Sequence, residues 1–405
     1  MSIAILRKLG PGLLFAGAAI GVSHLVQSTR AGADFGFGLI WALLLVNLFK
    51  YPFFQFGPRY ALATGESLLD GYKKLGRGAL IAYFILNLAT MFTIQTAVTI
   101  VTAGLAVNLF GVTDDVVLWS IIITVICLLI LVIGRYKLLD NLMKIIIVAL
   151  TISTIIAVVI ALNNDPKSMS LVQILPENSV GIAFLIAFMG WMPAPMDISI
   201  WHSLWAIEKK KEEKSFDTKG GLLDFNIGYL TTIILGVCFV SLGALVMFKS
   251  GETFSPSASG FSSQLISLYT TNLGDWAYVI IALAAFTTMF STTLTTLDAS
   301  PRAMAKTTKL LAGNLIKHSY IFWMGVLVTG TLIILGFFLS EMALLVKIAT
   351  ILSFITAPFY ALLNYLLINS KHTPKEWHPS IYMKILSWMG IVFLIGFSAW
   401  YLLTL

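Results

Sequence analysis

Apolar runs of about 20 residues recur along the whole chain, and this feature constrains the fold more than any other. Each run is long enough to cross the hydrocarbon core of a bilayer as an α-helix. The composition agrees, because 58% of the 405 residues are hydrophobic and only 11% are charged. The sequence therefore predicts an all-α polytopic membrane protein with eleven transmembrane helices, at residues 10–32, 37–62, 77–109, 116–134, 139–162, 180–205, 222–248, 276–297, 319–339, 342–368 and 382–404.

The placement of basic residues predicts the orientation of the chain. Most of the 26 lysines and arginines fall in loops on one side of the predicted membrane, whereas the opposite loops hold only Arg30, Lys167 and Lys249. By the positive-inside rule, we expect the N-terminus inside and the C-terminus outside the cytoplasmic (inner) membrane. The net charge of +7 thus indicates topology, and we expect the lipid bilayer rather than nucleic acid as a partner.

Two of the predicted spans are interrupted, the first and the sixth. Gly21-Val22-Ser23-His24 breaks the first apolar run, and Pro193 and Pro195 break the sixth. Backbone that leaves the helix at membrane depth is tolerated only where it lines a cavity or is buried in protein. Corresponding breaks in two five-helix halves are typical of secondary transporters with inverted repeats and a midplane site.

This pattern divides one transporter domain into parts. We expect a first repeat at 1–162, an outer loop at 163–179, a second repeat at 180–369, and a linker with the eleventh helix at 370–405. Because each repeat has an odd number of helices, the second enters the membrane from the opposite face. The sequence contains no HExxH motif, no Walker loop and no nucleophile with a spaced base, so we expect neither an enzyme nor a cofactor.

Family resemblance is carried by motifs near the N-terminus. They are Gly10-Pro11-Gly12, Ala31-Gly32-Ala33-Asp34-Phe35-Gly36-Phe37, Leu39-Ile40-Trp41 and Asn47, with weaker matches at Asn108-Leu109-Phe110-Gly111, His202-Ser203 and Pro358-Phe359. With these motifs the chain resembles the Nramp family of divalent-metal transporters, a divergent member of it. The resemblance implies the inverted-repeat fold of the amino-acid transporters, and secondary active transport of a metal ion, by symport in the family's usual form.

The residues that the resemblance would make metal ligands are missing. The family's Asp-Pro-Gly-Asn is Gly21-Val22-Ser23-His24 here, and its Met-Pro-His motif fits the sixth span in several registers. One register places Pro195 at the thioether ligand, a second places Ala194 there, and a third keeps Met192. A dehydrated divalent cation normally needs a buried carboxylate for charge compensation, which Gly21 cannot supply.

The expected substrate site therefore combines both breaks. Its candidate residues are Gly21, Val22, Ser23, His24, Met192, Pro195 and Asp197. His24 and Asp197 could at best ligate a metal ion. The opposite hypothesis is an anionic or zwitterionic solute held at the half-helix N-termini, where exposed N–H groups and the helix dipole favour negative charge.

A second group of residues is a candidate for coupling or a proton pathway. The resemblance places the family's acidic pair of the third helix on Thr96 and Thr99, and a glutamine ligand of the tenth helix on Thr350. Sodium-coupled relatives of the fold suggest a cation site at Thr292 and Thr293. His202 has either a proton-pathway role or a packing role; the list of candidates is Thr96, Thr99, His202, Thr292, Thr293 and Thr350.

The sequence thus predicts a secondary transporter of a small solute or ion that works as a monomer. A divalent metal cation coupled to an ion gradient is the family's default substrate. The alternatives are a transporter of a small anionic or zwitterionic solute, organic or inorganic, and a sensor of the same fold that has lost transport.

Overall fold

The computed structural model describes residues 10–133, 136–164, 170–248, 254–313, 316–338 and 342–403. Lys167 and Lys249, and parts of the predicted outer loop and of both termini, lie outside these residues. Within them the chain forms helices and no strands. The helices are α1 Pro11–Ala19, α2 Thr29–Phe35, α3 Ile40–Thr64, α4 Leu68–Leu75, α5 Arg77–Phe110, α6 Val116–Ile133, α7 Tyr136–Asn164, α8 Ser179–Trp191, α9 Ile198–Glu212, α10 Thr218–Leu242, α11 Ala258–Leu273, α12 Tyr278–Ala312, α13 Ser319–Phe338, α14 Met342–Ile368 and α15 Ile381–Leu403.

The predicted all-α membrane fold is confirmed. Eight of the described helices are long and apolar enough to cross a membrane, and α1 with the helical segment Ser23–Phe35 makes a ninth span if the bent pair counts as one. The other two expected spans correspond to α7, of which Leu150–Asn163 is a shorter apolar helix, and to the pair α8 and α9. The number eleven remains a prediction.

The start of α1 is fixed by an acidic side chain from another helix. Asp224, in α10, accepts hydrogen bonds from the backbone N–H groups of Gly10 at 3.1 Å and Gly12 at 2.7 Å. The first N–H groups of a helix have no partner within the helix, and its N-terminus favours negative charge. Gly12 must lack a side chain, because a Cβ there would lie 2.2 Å from the Asp224 carbonyl oxygen. The Gly-Pro-Gly motif is thus a helix start built for close packing against α10.

The short amphipathic helix α4 lies at one end of the bundle and is tied to α12. Ser67 and Asp70 form a capping box at its N-terminus, which satisfies backbone N–H groups of the first turn. The Asp70 carboxylate also forms a salt bridge with Lys306 of α12 at 2.8 Å. Burial raises the pKa of Asp70, but the hydrogen bonds from Lys306 and Ser67 outweigh burial and hold the pKa below its usual value.

Candidate functional site

The first break lies between α1 and a π-helical turn at Ser23–Ser28, and the two parts of this span are bent by 47°. The Ile20 N–H still donates to the Ala16 carbonyl oxygen, and the helix loses its regular bonding at Gly21, where the Gly21 N–H donates to the Ala19 carbonyl oxygen at 3.0 Å. A Cβ on Gly21 would lie 2.8 Å from Thr292 Oγ1 of α12. Gly21 therefore allows α12 to approach the break closely, a role that the sequence did not reveal.

Thr292 joins the break to α12. Its hydroxyl lies 3.2 Å from the Gly17 carbonyl oxygen, 3.4 Å from that of Ile20 and 3.1 Å from that of Thr288. The carbonyls of Gly17 and Ile20 belong to the last turn of α1 and to the break, where intrahelical N–H partners run out. The neutral Thr292 hydroxyl thus lies within hydrogen-bond distance of carbonyl groups that could otherwise bind a cation.

His24 is completely buried and faces backbone groups of its own span and of α10. Its Nε2 lies 2.9 Å from the Thr232 carbonyl oxygen, while its Nδ1 lies 2.7 Å from Ser23 Oγ and 3.2 Å from the Ala19 carbonyl oxygen. Both ring nitrogens therefore have partners within the protein. The geometry suits an imidazole that stabilises the break, and His24 does not line the cavity described below.

The second break separates α8 from α9. Helix α8 ends at Trp191, the Met192-Pro193 peptide bond is cis, and α9 begins at Ile198. All six residues from 192 to 197 are buried. Proline removes a backbone donor and clashes with the preceding turn, so Pro193 and Pro195 account for the loss of helix here.

Lys50 of α3 reaches into this second break. Its side chain is fully buried, and its Nζ donates to the carbonyl oxygens of Met189 at 2.8 Å, Gly190 at 2.8 Å and Met192 at 3.0 Å, with that of Ala194 at 3.5 Å. In the sequence, Lys50 is a single lysine inside an apolar run, where a charge that faces lipid is costly, but the sequence does not indicate its partner. The structure brings a cation to the carbonyl end of α8.

Asp197 lies at the opposite side of the break, immediately before α9. It is 3% exposed, and its carboxyl group meets only the backbone N–H groups of Asp197 and Ile198, neither of them in good hydrogen-bond geometry. The Tyr83 and Tyr360 hydroxyls, which are within electrostatic reach of this carboxyl group, are also buried without partners, as are both amide atoms of Asn87. Buried polar groups normally bond to protein or ordered water, so the space around Asp197, Tyr83 and Tyr360 suits water or a polar ligand.

A small cavity of about 20 Å³ lies between the two breaks, α5 and α12, which is room for about one water molecule. Its polar side chains are the indole groups of Trp191 and Trp201 and the hydroxyls of Ser23, Thr292 and Thr296. The complete lining is Ala18, Ala19, Val22, Ser23, Ile94, Val98, Trp191, Pro195, Ile198, Trp201, Thr292 and Thr296. Four of the predicted site residues thus line the cavity, namely Val22, Ser23, Pro195 and Thr292, and none of the lining side chains carries a charge.

The remaining predicted residues lie outside this lining. Thr96, Thr99 and Thr350 donate their hydroxyls to carbonyl groups of the preceding turn of their own helices, which is the usual bonding of a threonine inside a helix. Thr293 bonds to Thr102 across α5 and α12 at 2.7 Å. These contacts describe helix packing, and they leave a coupling role for the four threonines as a prediction.

His202 occupies an aromatic environment in α9. Its ring lies 5.6 Å from Phe15 and 5.6 Å from Phe225, measured between ring centroids, and neither ring nitrogen has a hydrogen-bond partner. Met192 is fully buried next to Lys50. Among the described residues, no group of three His, Cys, Asp or Glu side chains is placed to hold a metal ion.

Sequence reasoning missed some residues of the site. Trp191 and Trp201 line the cavity, and the Trp201 indole nitrogen is buried without a partner. Gln95 of α5 accepts a hydrogen bond from Thr296 at 2.6 Å. A glutamine in an apolar span was the available signal for Gln95, because such groups are costly in lipid, but tryptophans in apolar runs give no such signal.

The chain matches the model of a known protein family. The profile of the family described as natural resistance-associated macrophage protein-like, or Nramp, matches residues 12–404. An uncharacterized protein of Pasteurella multocida (strain Pm70) is 37% identical over 399 residues, which cover 96% of this chain and 90% of that protein.

Solved structures match over nearly the whole chain. A mutant of the Eremococcus coleocola manganese transporter has a TM-score of 0.74 at 14% identity, covering 97% of this chain and 85% of that one. A nucleobase-cation-symport-1 family transporter in a closed conformation, with bromovinylhydantoin bound, has a TM-score of 0.63 at 14% identity and covers 97% and 92%. At these identities the likeness concerns the fold.

Proposed function

Since the chain belongs to the Nramp family, we propose that it is a secondary transporter whose solute is a small organic molecule without net charge, either uncharged or zwitterionic. The solute binds at the cavity between the two helix breaks, which must widen from about 20 Å³ to admit it. The observation that carries this proposal is the lining, which has hydroxyl, indole and apolar groups but no charged side chain. Transfer of an ion out of water without a compensating charge is too costly for such a lining.

The helix ends at the breaks support the same conclusion. At the carbonyl end of α1 the Thr292 hydroxyl donates a hydrogen bond, and at the carbonyl end of α8 the Lys50 Nζ donates hydrogen bonds. Asp197 places a carboxyl group at the N-terminal end of α9, where negative charge is favoured. Three of the four helix ends at the breaks therefore already face polar or charged side chains of the protein, whereas no side chain caps the start of the Ser23–Ser28 turn.

In this proposal, the hydroxyls of Ser23, Thr292 and Thr296 and the indole N–H of Trp201 orient the polar groups of the solute. The apolar lining residues and Trp191 exclude water and limit the size of the solute. The source of work is an ion gradient, and the N-terminus faces the cytoplasm across the inner membrane. Neither the coupling ion nor the orientation changes the requirement for a net-neutral solute.

A divalent cation is the second candidate. It is favoured by the Asp197 carboxyl group, which is buried and has no side-chain hydrogen-bond partner. A cation bound beside this group would satisfy its oxygens, and carboxylate oxygen suits Mg²⁺, Ca²⁺ and Mn²⁺. In this case Asp197→Asn abolishes metal uptake, whereas the uptake of a net-neutral solute in the lined cavity continues.

The test is uptake by proteoliposomes of four labelled probes, namely alanine, uracil, acetate and Mn²⁺. A bulky Ile94→Trp substitution fills the cavity wall, and Ile85→Trp on the exposed face of the same helix is the matched control. We expect saturable uptake of alanine or uracil that is lost in Ile94→Trp and kept in Ile85→Trp. Saturable Mn²⁺ uptake with that pattern would contradict the proposal, and binding without uptake would identify a sensor.

A further inference from the structure

The carbonyl end of α8 is a cation-binding position by its physics. A helix leaves its last carbonyl groups without intrahelical partners, and its C-terminus carries about half a negative charge. In transporters with broken helices, such half-helix ends and unwound carbonyls coordinate the coupling cation. The carbonyls of Met189, Gly190 and Met192 are such a group, and all three point at one atom, the Lys50 Nζ.

The number of contacts matches the charged form of lysine. An ammonium group has three N–H donors and no acceptor, and the three closest of the four carbonyl partners of Lys50 lie at 2.8 to 3.0 Å, with that of Ala194 farther away at 3.5 Å. A neutral amine would leave one of these buried carbonyls without a donor. Among the described residues no salt bridge involves Lys50, so backbone carbonyl oxygens and the dipole of α8 hold the cation.

We propose that Lys50 is a tethered cation that fills the cation site of the second break. It excludes a dissociable cation from these carbonyls and allows the break to fold without one. Lys50 lies on α3, a different helix from α8 and α9. Its side chain therefore reaches the carbonyl groups of the break from outside, in the place that a bound ion would take. The inference concerns the break alone, and it holds whichever solute the cavity accepts.

Chemical rescue tests this proposal on the purified full-length chain in detergent. Lys50→Ala removes three carbons and the ammonium group, which correspond to propylammonium. Thermal unfolding is followed with N-methylglucamine as the only buffer cation, and then with added propylammonium, Na⁺ or Mn²⁺ chloride. 1-Propanol, which has the same carbon chain without the charge, is the control ligand.

We expect Lys50→Ala to unfold several degrees below the unsubstituted protein and to recover in propylammonium in a saturable manner, since a ligand that binds the folded state stabilises it. Small inorganic cations recover part of the loss, and 1-propanol recovers none. The unsubstituted protein and Lys347→Ala, which removes an exposed lysine of α14, do not respond. Lys50→Met, which keeps a long neutral side chain, loses stability without rescue because its thioether fills the site.

Several results would overturn the inference. They are Lys50→Met or Lys50→Ala unfolding at the temperature of the unsubstituted protein, and equal responses of Lys50→Ala to propylammonium and 1-propanol. If Lys50→Ala is not extracted in folded form, the readout becomes the yield of folded protein from membranes prepared with and without propylammonium. No gain in yield would then refute the tethered-cation role.

Discussion

Gly21 provides a quantitative test of how the first break is packed. In Gly21→Ala the new Cβ would lie 2.8 Å from Thr292 Oγ1, 2.9 Å from its Cγ2 and 3.2 Å from its Cβ. Contacts below 3.0 Å force α1 and α12 apart. Overpacking of this kind costs about 1–3 kcal/mol, and we expect Gly21→Ala to lose that amount of unfolding free energy.

Thr292→Ala supplies the second arm of a double-mutant cycle. It removes the two atoms nearest to the new Cβ, but it also removes a hydroxyl that bonds to the Gly17 carbonyl oxygen, at a cost of about 0.5–1.5 kcal/mol. In the double variant most of the steric penalty disappears. We therefore expect the double variant to be more stable than the sum of the single losses predicts, by about 1–2 kcal/mol.

The measurement is the unfolding free energy of the four proteins in mixed micelles, followed by tryptophan fluorescence during denaturant titration. Gly325→Ala in α13 is the matched control, because a Cβ there meets no heavy atom within 4 Å and alanine favours a helix over glycine. Additive losses to within about 0.5 kcal/mol, or a Gly21→Ala protein as stable as its parent, would refute this account of the break.

Three further results are expected. In a thermal-shift panel, Gly21→Asp gains a response to Mn²⁺ only together with Thr292→Ala, because the carboxylate needs the space of the threonine; a response of the unsubstituted protein would argue for a metal substrate. Asp224→Ala loses about 3–6 kcal/mol of unfolding free energy, from two hydrogen bonds to a charged group, and an unchanged denaturation midpoint would count against its role at the start of α1. Asp70→Asn destabilises the protein at neutral pH. Because the folded pKa of Asp70 is lowered, the difference from the parent is complete above the unfolded pKa of about 3.9 and is lost as the pH falls from there through the lower folded pKa. Denaturation of both proteins at several pH values, with Lys306→Gln as a second variant, checks the sign.

The breaks show how far local sequence reaches in this protein. Gly21 and the prolines Pro193 and Pro195 weaken or forbid helix wherever they occur, so interruptions of the first and sixth spans could be predicted from the chain alone. The side-chain environment of His24 could not be predicted from the chain alone. Its interruption of an apolar run suggested a ligand, whereas the Thr232 carbonyl that it meets lies on α10, a separate span.

For the charged residues in the spans, too, the sequence predicts one property and the packing of the helices decides another. A bare charge in hydrocarbon is costly, which disfavours a lipid-facing position for Lys50 and Asp197. Which partners they meet depends on how α3 packs against the second break. The local chain around Lys50 contains none of the carbonyl groups that accept its hydrogen bonds, which lie 139 to 144 residues away.

By itself, the sequence determined the membrane setting, the helical class, the family and the two points where helices break. These properties follow from hydropathy and from backbone chemistry, which act within a few residues of the chain. The tertiary structure decided the content of the site, namely a cavity without charged side chains, the threonine that serves the first break and the lysine that serves the second. The physical reason is that each of these contacts joins residues of different helices, and their closeness in space is set by the packing of the whole bundle.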